Sequence, residues 1–203
     1  MTRIIAGQAG GRRLSVATGR TTRPTSDRTR EGLFSTLVSI FGDLNGLRVL
    51  DLYAGSGAVG LEALSRGAAD ALLIESDRAA AAAIGRNIEV VAMPGARLIT
   101  DRVDRALRRG PEHAGAGQRD LVFADPPYSV GSEELAAMLG ALTARKWLAS
   151  DALIVIERDA RSEPPWWPAG IAQDRSRRYG ETTLWYGRAC GDTPAAAAST
   201  TGA

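Results

Sequence analysis

Five short apolar runs constrain this chain more than any other feature: LRVLDL at 47–52, ALLIE at 71–75, ARLIT at 96–100, DLVFA at 120–124 and ALIVIE at 152–157. None alternates apolar with polar residues, so each reads as a strand covered on both faces, the pattern of a parallel sheet. Parallel neighbours need crossovers, and the stretches 57–66, 78–91, 101–109 and 132–144 have the length and Ala/Leu content of helices. The spacing therefore predicts repeated βαβ units in a doubly wound α/β domain.

Flanking segments add to this frame. RII and RLSV, separated by AGQAGG, predict a hairpin over 3–16 that stands apart from the main core. Thr25 or Ser26 can cap a helix carrying Leu33, Phe34, Leu37, Ile40 and Phe41 on one face and ending at Gly42. PPWWP at 164–168 interrupts the rhythm, and runs at 171–178 and 182–188 meet at Gly180 as a closing antiparallel pair. Residues 191–203 offer nothing to bury and read as a disordered tail. The expected organisation is a basic N-terminal hairpin over 1–22, an α/β domain over 23–190, and that tail. Trp147, Trp166 and Trp167 are expected to serve packing.

Composition matters mainly for what it excludes. No run of about 18 apolar residues is available to span a membrane, and the lone Cys190 has no intramolecular disulfide partner, which fits a reducing cytoplasm. His113 is the only histidine, so neither a metal cluster nor a histidine triad is expected. The net charge is only +2, yet Arg3, Arg12, Arg13, Arg20, Arg23, Arg28 and Arg30 face a single acid, Asp27, in the first thirty residues. That clustering points to a polyanionic partner, since the guanidinium fork suits bidentate phosphate contacts.

Asp51, Glu75, Asp101 and Asp125 fall at or just after the carboxyl ends of four successive predicted strands, separated by 24, 26 and 24 residues. Ligands of open α/β sheets bind at that edge. Asp51 opens DLYAGSGAVG, where Gly55 and Gly57 let backbone N–H groups approach a ligand at a helix start. Gly55, Gly57 and Gly60 also spell the dinucleotide fingerprint. An acid four residues before the turn, and the loop Asp125-Pro126-Pro127-Tyr128, argue instead for S-adenosylmethionine: Asp51 meets its ammonium and Glu75 its ribose diol.

The DPPY loop carries the sharper chemistry. An amine on a nucleobase keeps its lone pair delocalised into the ring. Hydrogen bonds from that amine to the Asp125 carboxylate and the Pro126 carbonyl make the nitrogen a better nucleophile, while Tyr128 stacks on the flipped base.

RIIAGQAGGRRL, RPTSDRTREGLF, LDLYAGSGAVGLEALSRGA, LIESDR and FADPPY together resemble the bacterial 16S rRNA guanine-N2 methyltransferases of the RsmD type, over residues 3 to 188. The resemblance implies a class I methyltransferase fold: a mostly parallel seven-stranded sheet with a C-terminal antiparallel strand. It implies S-adenosylmethionine as donor, guanine 966 of small-subunit rRNA as acceptor, and an assembled or late-precursor subunit as partner of a monomer. Asp125, Pro126, Pro127 and Tyr128 become the catalytic set. The RPTSDRTRE segment closes over the methionine end and nominates Thr25, Arg28 and Phe34. Asp51, Tyr53, Gly55 and Gly57 join them around the glycine turn, with Glu75, Ser76, Asp101 and Arg102 at the next two strand ends. Arg3, Arg12, Arg13, Arg20, Arg23 and Arg30 are assigned to RNA. One departure stands out: Asp101 precedes Arg102-Val103 where relatives place an acid or amide before alanine, so Asp101 serves either the adenine or the helix start. Two other readings stay open, a DNA adenine-N6 methyltransferase and a non-catalytic rRNA-binding assembly factor.

Overall fold

A computed structural model describes residues 2–17 and 27–190. Short strands β1 (Thr2–Arg3) and β2 (Arg13–Leu14) form an antiparallel pair, and α1 (Asp27–Phe41) follows. The alternating part comprises β3 (Arg48–Leu52), α2 (Ala58–Ser65), β4 (Asp70–Glu75), α3 (Arg78–Val91), β5 (Ala96–Thr100), α4 (Val103–Arg109), β6 (Arg119–Ala124), α5 (Ser132–Ala144) and β7 (Leu148–Asp159). A closing hairpin, β8 (Ile171–Tyr179) and β9 (Thr182–Ala189), completes a seven-stranded sheet of order β5-β4-β3-β6-β7-β9-β8. All pairings from β5 to β7 are parallel, and β9 runs antiparallel to both neighbours. This is the class I methyltransferase fold expected from the sequence. No described helix is long and apolar enough to cross a membrane.

Strand residues alternate between two cores because successive side chains leave opposite faces of the pleat. Val49, Leu73, Phe123, Val155 and Leu184 enter one core with Leu37 of α1, Leu61 of α2 and Ile84 of α3. Leu50, Ile74, Val122 and Ile154 enter the other with Leu107 of α4 and Leu139 of α5. Both faces being covered explains the uninterrupted apolar runs. Trp147 closes the second core fully buried, its indole N–H donating to the Leu107 carbonyl at 2.9 Å, whereas Trp166 is exposed.

The N-terminal hairpin corrects an expectation. It does not stand apart: Ile4 is fully buried and Leu14 and Ala9 nearly so, all in the first core. The carboxylate of the fully buried Glu62 on α2 accepts the Ile5 N–H at 2.6 Å and the Ala6 N–H at 2.9 Å. Gly7 has φ +82°, and a Cβ there would fall 1.9 Å from the Ser65 carbonyl oxygen, so only glycine admits this approach. Arg12 donates from Nη1 to the carbonyls of Val90 and Val91, satisfying the C-terminus of α3. The segment's short apolar runs do not show their partners on α2, which lie more than fifty residues away.

Candidate functional site

The sheet order reverses at β3: the chain steps outward through β4 to β5, then returns across β3 to β6. The carboxyl ends of β3 and β6 bound the resulting crevice, where open α/β sheets bind their ligands. A cavity of about 630 Å³ opens there, within the range of pockets for small ligands and cofactors, about 300–1,000 Å³.

Its floor is the turn after β3. Tyr53 takes φ +57°, Gly55 φ +59° and Gly57 φ +74°, a run of left-handed residues that turns the strand sharply into α2. A Cβ on Gly57 would lie 2.8 Å from Leu73 Cδ2, so glycine is also required for packing. The non-glycine Tyr53 in that conformation costs about 1–3 kcal/mol, a strain that concentrates at functional sites. Burial pushes its phenol up to about 12, helped by the negative charges of Glu134 and Asp104.

Two carboxylates brace the turn. Asp51 is 2% exposed, and its Oδ2 accepts the Gly60 N–H at 2.9 Å. Burial pushes its carboxyl up to about 8; the Gly60 N–H opposes this, and the charges of Asp125 and Glu75 add to it. Glu75 is also buried; its two oxygens accept the Gly55 and Asp77 N–H groups, each at 2.8 Å, tying the glycine turn to the end of β4.

Opposite the turn stands the loop after β6. The Asp125 N–H donates to the Leu52 carbonyl at 3.4 Å, extending the β3–β6 ladder past the strand. Asp125, Pro126, Pro127 and Tyr128 all line the cavity, with Tyr128 exposed at its mouth. The Val130 N–H closes a turn onto the Pro127 carbonyl at 2.9 Å, and Arg158 on β7 donates to the Val130 carbonyl at 3.1 Å. The aromatic is thereby presented on a fixed turn.

Of the nominated cofactor residues, Arg28, Asp51, Tyr53 and Gly55 line this cavity, and Gly57 and Glu75 support it from behind. Ser76, Asp101 and Arg102 are not among its lining residues. Asp101 accepts the Arg102 N–H and faces Arg105 and Arg109, both at 3.5 Å, so its contacts serve the start of α4. Two assignments are corrected. Phe34 is fully buried in the first core with the Arg66 guanidinium 4.6 Å over its ring, so it cannot touch a ligand in the cavity. Arg30 is also fully buried, donating to the Arg3 carbonyl and to Asp27, so it is not offered to RNA. Spacing could have found this, because Arg30 shares a helical face with Leu33, Phe34 and Leu37. Arg3, Arg12 and Arg13 are exposed. Thr25, Arg20 and Arg23 lie outside the described residues.

The far wall of the cavity was not among the expected residues. Glu157, Arg158 and Asp159 at the end of β7, and Tyr179 to Thr182 around the β8–β9 turn, line the same cavity. Glu157 ends the fifth apolar run as Glu75 ends the second, so continuing the series of strand-end acids by one strand would have found it.

The family model described as "Conserved hypothetical protein 95" matches residues 2–188. The ribosomal RNA small subunit methyltransferase D of Escherichia coli (strain K12) is 38% identical over 180 residues, covering 88% of this chain and 85% of that protein. Among solved structures, yhhF from Escherichia coli superposes with a TM-score of 0.79 at 34% identity, covering 93% of this chain and 97% of that one. The magnesium protoporphyrin IX methyltransferase of Synechocystis PCC 6803, solved with bound SAM, shares the fold alone, at a TM-score of 0.59 and 17% identity over 80% of this chain and 78% of that one.

Proposed function

From the membership of this chain in the conserved hypothetical protein 95 family, the RsmD-type rRNA methyltransferases, we propose that it methylates the exocyclic N2 amine of guanine 966 in 16S rRNA, with S-adenosylmethionine as donor and the assembled or late-precursor small subunit as substrate. One observation carries the reading: the glycine turn and the DPPY loop face each other across a single cavity at the reversal of the sheet.

The residues present fit that cofactor. The left-handed turn at Gly55 and Gly57 admits a ligand close to the backbone, Asp51 on the cavity wall supplies a carboxylate for an ammonium, and Glu75, which holds the Gly55 N–H from behind that wall, is assigned to the ribose. When bound, the cofactor supplies an electrophilic methyl on a sulfonium. Asp125 and the Pro126 carbonyl accept the two hydrogens of the amine, aim its nitrogen and localise its lone pair; the proton lost on methylation leaves toward the Asp125 carboxylate. Tyr128, at the cavity mouth, stacks on the flipped base, a contact that contributes about 1–3 kcal/mol. Arg158 maintains the turn that presents it.

The test is mass mapping of 16S rRNA from cells lacking the protein. The guanine should be unmethylated, restored by the wild type and not by Asp125→Ala, while calorimetry finds S-adenosylmethionine affinity largely retained in that variant. A fully methylated guanine 966 in the deletion strain overturns the assignment, and loss of cofactor binding in folded Asp125→Ala overturns the division of roles.

A further inference from the structure

Two acids, Asp125 and Glu157, follow the last paired residues of adjacent strands and line the same cavity. Ala124 of β6 pairs with Ile156 of β7 in parallel register, so the next residues, Asp125 and Glu157, occupy neighbouring positions on adjacent chains. Such chains lie about 4.8 Å apart. Val155, two residues before Glu157, enters the core beneath α1, and alternation sends Glu157 to that same face. Glu157 is 7% exposed, and both acids line the cavity.

What a second carboxylate means depends on the atom next to the amine. In guanine the amine-bearing carbon is flanked by N1–H, a donor, on one side and by N3 on the other, and the N1 side is the one an acid can recognise. In adenine and cytosine the corresponding ring nitrogen is an acceptor, whose lone pair a carboxylate repels. A buried acid beside the amine-holding acid therefore attracts one base and rejects the other two.

We propose that Glu157 accepts a hydrogen bond from N1–H of the target base and so selects guanine over the other amine-bearing bases. The assignment rests on the reading above, in which Asp125 holds the amine. It gives Glu157 a role in specificity, distinct from activation of the nitrogen. It also separates this site from an adenine-N6 enzyme, with which it shares the DPPY loop.

The test uses small subunits reconstituted with guanine or 2-aminopurine at the target nucleotide, since 2-aminopurine keeps the amine and lacks the N1 hydrogen and O6, and the Glu157 variants assign the difference to N1–H. The wild type should methylate the guanine subunits about 10- to 100-fold faster, the worth of a hydrogen bond to a charged group. Glu157→Gln, whose amide can donate as well as accept, should lose guanine turnover and bring the two substrates nearly level, with S-adenosylmethionine affinity unchanged by calorimetry. Equal rates on the two substrates with the wild type overturn the proposal, whatever the variants do. So does an undiminished guanine preference in Glu157→Gln, and Glu157→Ala repeats the comparison with no amide present. Methylation of neither substrate by the wild type overturns the functional reading itself, a distinct result.

Discussion

At the scale of single residues, Asp51 links the site to pH. Its carboxyl, pushed up to about 8 by burial, lies above the ordinary value of roughly 4. The folded form thus holds this proton more tightly than the unfolded chain does. The stability it contributes is full below about pH 4 and is lost as the pH rises toward 8. Denaturation of the cofactor-free protein between pH 5 and 9 should find Asp51→Asn gaining on the wild type as pH increases; parallel curves would refute the linkage. A cationic amine seated against Asp51 favours the ionised form, so cofactor binding at neutral pH should release a proton, seen as calorimetric heats that depend on the buffer. Glu75→Ala should weaken the same binding by about 1.5–3 kcal/mol, and an unchanged affinity in a folded variant removes Glu75 from the site. Residues of this kind were legible because strand ends and a glycine turn announce themselves in the chain. Arg30 and Phe34 were misassigned for the converse reason: a motif names residue types, and only the helical face decides which of them reach the ligand.

Among the elements, the N-terminal hairpin behaves as part of the core. Ile4→Ala should cost about 2–5 kcal/mol in chemical denaturation, as truncations of buried aliphatic side chains do, and a cost near zero would mean that the hairpin opens freely. The two neighbouring arginines are expected to part company. Arg12 closes α3, so Arg12→Glu should lower stability. Arg13 is exposed on β2, so Arg13→Glu should leave the midpoint alone and reduce the salt dependence of subunit binding. Identical effects on both properties would contradict the division. The hairpin's existence was readable from its glycines, but its docking was not, because Glu62 and Ser65 carry no mark in the sequence of the backbone groups they receive. The β8–β9 pair was also foreseen, yet its turn proved to be a wall of the cavity, a consequence of β9 pairing beside β7 that local pattern does not contain.

Across the whole molecule, the two edges of the sheet divide the work. The amino ends of the strands carry ion pairs: Arg48 with Asp120 at 2.8 Å, Arg97 with Asp70 at 2.7 Å, and the nearly fully buried Arg119 with the same Asp70. The carboxyl ends carry the site. Asp70→Ala should therefore cost about 3–5 kcal/mol, the penalty for stranding a buried cation, while cofactor affinity of the folded fraction stays the same; a shift in that affinity would couple the edges. The parallel pairing of the central strands followed from the uninterrupted apolar runs and the helical stretches between them; their order, with its reversal at β3, did not. The contacts of the hairpin with α2 and α3 have one further consequence, for the chain during its synthesis. The Ser15 N–H is received by Asn87, which emerges 72 residues later, about 4–14 s at ordinary elongation rates of 5–20 residues per second. For that interval the hairpin lacks the part of its docking surface that α3 supplies. A segment made well before its partners is therefore among the last to be fixed, and its docking belongs to the closing steps of folding.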